Sequence, residues 1–467
     1  MKSIIVALLV VATVVSGCSV ASSSGGVVVD TTLKPRIVVL TDISTWEPDD
    51  SESLVHLLVS ADLYEIEAIV YTTGWSHDVI VDEFMDSLLI PHIKAYGKDV
   101  SNLMARSSQV GFLEDENVQS VGYWPSLEYL LSRTMFGSKK RGMEFVGEDN
   151  HSPGSDYIIE LADEEDDRPL WILVWGGGNT LAQSVWKVQQ TRDDEGLKSF
   201  LGKLRVFTIT DQDRLKEDSY DVSSHKWLRS FGKDLTFLWD ESAWMAQCKA
   251  RRFWDKYETM IQPMGHLGKF YPKYVWGVEG DTPTFMYVTP NGLGGVDDPT
   301  MLSWGTYFEW SLSPDGETYC YNNAQPADIY EVATPYYNQF YPSMFNNFAA
   351  RMAWAEYGKG NRNPVVVVDS RANFETVYRT VSVGERCTMD VSESFDPDGD
   401  ALAFSWWKPV GGSYASAIEL DGADSSLCSF TVPSDSMGAE FHIICEVSDS
   451  GSPSLTSYKR FVFKVSR

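Results

Sequence analysis

The chain has 467 residues and a formal net charge of −28, from 66 acidic against 38 basic side chains. That balance repels phosphate backbones and excludes nucleic acid as a partner, while the length calls for two domains rather than one. With 43% hydrophobic residues and 16 Trp, the chain can build cores and can also offer faces for sugar rings, and composition does not separate these uses.

In chain order, the N-terminus reads MK, then the apolar run IIVALLVVATVV, then VSGC at 15–18. The run is too short and wrongly flanked for a stable membrane span. An aliphatic residue, two small ones and a Cys resemble a bacterial lipoprotein signal. This implies a signal peptide over 1–17, lipidation of Cys18, and a cell-envelope location in which the lipid is the only membrane contact. Ser19, where an Asp would favour inner-membrane retention, points to the outer membrane. SVASSSGG opens a flexible tether over 18–35.

From Arg36 to Gly358, buried strands alternate with helices. RIVVL is a strand, SESLVHLLVSAD a helix and IEAIVYTTG a strand; DEFMDSLLIPHIKAYGK reads as a helix broken at Pro91. PLWILVWGG, NTLAQSVWKVQQT and KLRVFTITD continue as strand, helix, strand. This pattern predicts an α/β domain over 36–358, with a mostly parallel sheet flanked by helices. From Lys249 to Tyr357, Trp, Tyr, Gly and Pro replace periodicity, and long ordered loops are expected.

GKGNRNP is a linker, and residues 359–467 switch to period two, predicting a small all-β sandwich. Its SFDPDGDALAFSWW resembles PKD and cadherin-like modules. Asp396, Asp398 and Asp400 suit a Ca²⁺ site and equally suit a polar turn. Cys248, Cys320, Cys387, Cys428 and Cys445 form no CxxC pair, so zinc is not expected. A disulfide among the last three is permitted outside the cytoplasm, but its pairing is not readable.

The chemistry concentrates in TDISTWEPDD at 41–50, where a strand delivers Asp42, Glu47, Asp49 and Asp50 into one loop. One carboxylate beside a helix N-terminus is an ordinary cap, but a group of them repels itself unless a cation relieves the charge. WGGGNTLAQSVW at 175–186 adds a glycine turn before a helix, and VEGDTPTFMYVTPNGLGG at 278–295 adds Glu279, Asp281 and Asn291. The glycine turn is not a dinucleotide fingerprint: the spacing differs and acidic neighbours would repel phosphate.

In this order the three stretches resemble the nucleoside hydrolase superfamily, with its Asp-rich first loop, its GPLTNxA turn and a late Asp completing a Ca²⁺ site. With ITDQD at 209–213 they resemble more closely the bacterial cellulose-binding proteins that join a nucleoside-hydrolase-like domain to a C-terminal β-sandwich. The resemblance implies Ca²⁺ held by Asp42, Asp49, Asp50, the Asn179 carbonyl and Asp281, with Asp42 also activating water. It implies hydrolysis of an N-glycosyl or related glycosidic bond. His77 and His266 are candidate acids for the leaving group; Trp46, Trp75, Glu279 and Asn291 are candidate contacts for a carbohydrate or glycoside.

The departures lie on the sugar side. Leu40 stands where the motif begins with Asp, ISTWEP separates Asp42 from Asp49, Gly74-Trp75 replaces a Gly-Asn pair, and no AEFN-like segment is present. The metal half is kept and the ribose-reading half is rewritten. Competing readings are a non-catalytic binder of cellulose-like polysaccharide and a surface adhesin.

Overall fold

The computed structural model describes residues 26–214, 220–294 and 297–466. The signal over 1–17, Cys18 and the start of the tether lie outside the described residues. Among the described residues, no helix is long and apolar enough to cross a membrane.

An eight-stranded sheet organises the first domain: β1 (Arg36–Thr41), β2 (Glu65–Tyr71), β3 (Thr134–Phe136), β4 (Leu170–Val174), β5 (Leu204–Ile209), β6 (Thr236–Asp240), β7 (Glu309–Leu312) and β8 (Tyr319–Asn322). The order is β3-β2-β1-β4-β5-β6-β8-β7, and every pairing is parallel except β7 with β8. β1 and β2 are buried at every residue, which is why they read as unbroken apolar runs. Alternate residues enter opposite cores: Ile37 and Val39 with Trp171 and Leu173 on one face, Val38 and Leu40 with Ile172 and Val174 on the other.

The chain leaves β1 toward one edge for β2 and β3, then crosses to the far side of β1 for β4. The carboxyl ends of β1 and β4 are therefore the switch point, where open α/β sheets place their ligands.

The helical run expected to break at Pro91 changes there from the π turn Met85–Leu89 to the α-helix Ile90–Ser107. Two expectations are corrected. The loop-like region after Lys249 contains a 31-residue helix, Ala327–Tyr357, with Pro335 and Pro342 inside it. Its Ala333, Tyr337, Phe340, Phe348 and Met352 all enter the first core. Burial around much of its circumference removes the apolar stripe that would have announced it. The tether, finally, is tied down from Val28: Val28–Val29 pairs with Arg371–Ala372, Asp30 meets Arg371 at 2.7 Å, and Lys34 is fully buried.

The second domain packs β9 (Val377–Val381), β14 (Thr456–Val465), β13 (Glu440–Asp449) and β11 (Leu402–Trp407), in that spatial order, against the pair β10 (Arg386–Asp390) and β12 (Leu427–Thr431). Met389, Phe430, Phe441, Ile443, Phe461 and Phe463 fill the sandwich. β13 and β14 are covered on their other face too, because Ile444 and Tyr458 join the core of the first domain. Buried Arg460 donates to the carbonyls of Leu293 at 2.7 Å and Leu302, clamping the domains together.

The Asp396–Asp400 segment is a polar turn. Asp396 Oδ1 accepts the N–H groups of Asp398 and Asp400, and Asp398 pairs with Arg106 and Arg362. All five described cysteines are free thiols.

Candidate active site

The helix Asp49–Leu58 follows the first loop and carries Asp49, Asp50 and Glu52 in its opening turn, where its free N–H groups favour negative charge. The short helix Pro283–Tyr287 brings Asp281 against them. Ligand atoms of Asp49, Asp50 and Asp281 all lie within 4.8 Å of one another. Asp49 Oδ1 and Asp281 Oδ2 are buried without a hydrogen-bond partner, while Asp50 Oδ1 accepts from the Thr41 hydroxyl. Burial pushes the Asp50 and Asp281 carboxyls well above the usual range, and the surrounding carboxylates push them further. Unpartnered buried anionic oxygens facing one another are costly unless a cation joins them.

Asp42 ends β1 beside this trio. It is 2% exposed, its Oδ2 accepts the Ser76 N–H at 2.8 Å, and burial followed by the Glu47 charge pushes it up to about 7. Ser76 Oγ donates in turn to Glu47 at 2.6 Å, so the loops after β1 and β2 are locked together. Close backbone approach makes this possible. A Cβ on Gly74 would sit 2.5 Å from Asp42 Oδ2, one on Gly176 3.0 Å from Asp42 Cβ, and one on Gly280 2.6 Å from Asp49 Oδ2. The glycine turn thus seats the carboxylates themselves.

Trp46 is 44% exposed, with its indole N–H donating to the Ser76 carbonyl at 3.2 Å. Trp75 is half-buried, its N–H reaching Gln212 and its ring lying 5.5 Å from the Arg214 guanidinium. Trp46 therefore sits on the loop that carries Asp42, and Trp75 on the loop that holds Asp42 through Ser76. His77 is on the same loop; its carbonyl accepts from Gly74, and its Nε2 is buried without a partner.

Three other named residues, His266, Glu279 and Asn291, are held by partners away from the trio, and Asn179, expected to offer its main-chain carbonyl, lies just after the glycine turn. Asn179 opens the helix Asn179–Thr191, and its side chain is held by the Lys140 carbonyl and by Thr73. His266 pairs with Asp99 at 2.8 Å. Glu279 is fully engaged behind the site by His56 at 3.0 Å and Tyr271 at 2.7 Å, and its φ of +53° turns the chain toward Asp281. Asn291 is carried to the other end of the sheet, where its carbonyl accepts from Tyr458. Proximity in sequence to Asp281 was the signal for both Glu279 and Asn291. A buried turn and a helix separate them from the carboxylate cluster.

Residues not singled out also enter. Asp213, after β5, accepts from the Ser224 N–H at 2.9 Å, and its Oδ1 is unpartnered against Gly177. Cys248 Sγ packs on Gly277 and Gly280 beside Asp49. Asp213 lies in ITDQD and was legible only as part of that motif; a lone Cys in a loop-like stretch carried no signal.

A family model described as "Cellulose-binding Sde182, nucleoside hydrolase-like domain" matches residues 36–308, and one described as "Cellulose-binding protein Sde0182, C-terminal domain" matches residues 386–465. A solved nucleoside hydrolase-related protein from Saccharophagus degradans, described as associated with carbohydrate metabolism, is 31% identical. It covers 92% of this chain and 100% of its own, with a TM-score of 0.79. The PKD domain of the KIAA 1837 protein (18% identity, 19% of this chain and 82% of its own, TM-score 0.16) is too distant to carry an argument. So is the effector XopQ, solved with adenosine diphosphate ribose (10% identity, 70% of this chain and 94% of its own, TM-score 0.32). No curated protein matches the chain.

Proposed function

Because the chain belongs to the cellulose-binding Sde182 family, with its nucleoside hydrolase-like domain, we propose that its switch-point carboxylate cluster is a Ca²⁺-dependent site that hydrolyses an N-glycosyl or related glycosidic bond of a carbohydrate ligand. The observation that carries this reading is the convergence of Asp49, Asp50 and Asp281 with buried, unpartnered oxygens. An all-oxygen, carboxylate-rich donor set fits a hard cation such as Ca²⁺. When bound, the cation neutralises the carboxylates, orients sugar hydroxyls and acidifies water.

Asp42 is held rigid by the Ser76 N–H and takes the proton from the attacking water. The attack meets an oxocarbenium-like anomeric carbon. His77 presents its free Nε2 as donor to the leaving group. Trp46 and Trp75 offer ring faces at the mouth.

The test is turnover of a panel of nucleosides and nitrophenyl glycosides in Ca²⁺ and in EGTA. Asp42→Asn should abolish hydrolysis yet leave Ca²⁺ binding measurable by calorimetry, because an amide coordinates but does not accept the proton. Undiminished turnover in that variant would defeat the catalytic role. The exposed Trp46 also favours a second reading, a non-catalytic carbohydrate binder, which the same panel separates by giving Ca²⁺ binding without turnover. Export as a lipoprotein anchored through Cys18, most simply in the outer membrane, completes the proposal. Equal solubility of wild type and Cys18→Ala on fractionation would reject it.

A further inference from the structure

At the amino ends of the strands, opposite the acidic pocket, the two domains enclose a cavity of about 820 Å³. Leu33, Asn291 and Asp297 line it from the first domain, and Phe374, Glu375 and Tyr378 from the second. β1 is six residues long, so about 20 Å separates this cleft from the carboxyl-end pocket.

Three features describe an occupant. Tyr378 is 59% exposed and Phe374 38%, so two aromatic side chains are left uncovered in one concave space of ligand-site size. The exposed ionic groups in the cleft are acidic, Asp297, Asp298 and Glu375. The cations that line it are already engaged: Lys34 donates to the Ala61 carbonyl and Gln119, and Arg168 is paired with Glu65 and Asp166. Aromatic faces suit the C–H face of a pyranose, and carboxylate oxygens accept from its hydroxyls. A phosphate, sulfate or uronate chain would meet exposed like charge, because the lining cations Lys34 and Arg168 are already satisfied within the chain.

We propose that this interdomain cleft binds a segment of neutral polysaccharide, giving the protein a polymer-holding site separate from the acidic pocket. The proposal rests on the reading that the ligand class is carbohydrate, and it explains a chain that joins a sandwich rigidly to a hydrolase-like domain: Tyr378 and Asn291 meet at one cleft only when Arg460 holds the domains in register.

The experiment is native affinity electrophoresis in hydroxyethyl cellulose and in carboxymethyl cellulose, with melting followed in parallel. Wild type should be retarded by the neutral polymer and not by the anionic one. The double variant Phe374→Ala, Tyr378→Ala should bind about tenfold more weakly or worse at an unchanged melting temperature, while Tyr378→Phe binds as wild type does. Full retardation of the folded double variant overturns the cleft and leaves the carbohydrate reading standing. Wild type that hydroxyethyl cellulose does not retard overturns the cleft, while turnover of the glycoside panel decides the carbohydrate reading separately.

Discussion

At the amino ends of the central strands, Glu65 and Glu67 are buried beside guanidinium groups: Arg168 reaches Glu65 at 2.7 Å and Arg36 reaches Glu67 at 2.6 Å. At the carboxyl ends, Asp42, Asp50 and Asp281 are buried beside one another, with Asp49 completing the group. The same sheet thus buries carboxylates twice, once with cations built into the chain and once without. Charge burial is tolerated in either form only if a partner arrives. The amino end finds its partner on folding, whereas on the function proposed above the carboxyl end leaves that role to a cation from solution.

The contrast can be broken most severely at Arg36. Both it and Glu67 have side chains only 3% exposed, so Arg36→Met should cost about 3–5 kcal/mol in chemical denaturation by leaving a buried carboxylate with only the distant Arg133, at 3.9 Å, as its cation. A loss below about 1 kcal/mol would show that the amino end does not depend on its built-in cation.

Ca²⁺ should come next. At about 100 times its dissociation constant, it should stabilise the wild type by about 2.7 kcal/mol in thermal melts, and EGTA should reverse this. Asp50→Ala should abolish the gain. Without Ca²⁺, Asp281→Asn should melt above wild type, because it removes one of several mutually repelling charges. A wild-type midpoint indifferent to Ca²⁺, with no ion found by elemental analysis, would reject the external cation.

A smaller effect follows from Glu67, which burial pushes up to about 7 against the pull of Arg36. A carboxyl whose folded value lies above its unfolded value favours folding while protonated. Its contribution is full below the unfolded value and is lost as pH rises through about 7. Stability should therefore decline across that window, and Glu67→Gln should flatten the decline. The Arg36→Met penalty should also shrink in acid; a penalty independent of pH would argue for lost packing instead.

The smallest change in stability is expected for Trp46→Ala, within about 0.5 kcal/mol because the residue is 44% exposed and outside the cores. Its readout is affinity for the small glycoside at the acidic pocket, which should fall. Unchanged affinity would remove Trp46 from the site.

How much was legible in the sequence differs between residues that a strand end delivers and residues that a fold gathers. Asp42 follows a buried strand and Asp49 and Asp50 open a helix, so their convergence needed only the local chain. Asp281 was identifiable through its family motif. Glu279 and Asn291, two residues before it and ten after, were assigned to the pocket by proximity alone. One is held by His56 and Tyr271 behind the site, and the other lies at the domain interface. Asp213 and Cys248 reach the pocket's surroundings from distant stretches, and no local spacing records that.

The sequence by itself determined the alternation of buried strands and helices, the change to period two after the linker, and the crowding of carboxylates in the first loop. Each of these is a local consequence of side-chain periodicity or charge. Only the tertiary structure decided that the proline-bearing segment 327–357 is one helix, since packing on several sides supplied what propensity did not. It alone decided that β13 and β14 are covered on both faces, because a strand's alternation cannot say what will lie against its outer side. And it alone decided that the amino-end carboxylates have partners while the carboxyl-end trio does not. Whether a buried charge is paired depends on which distant residues the fold brings within about 4 Å.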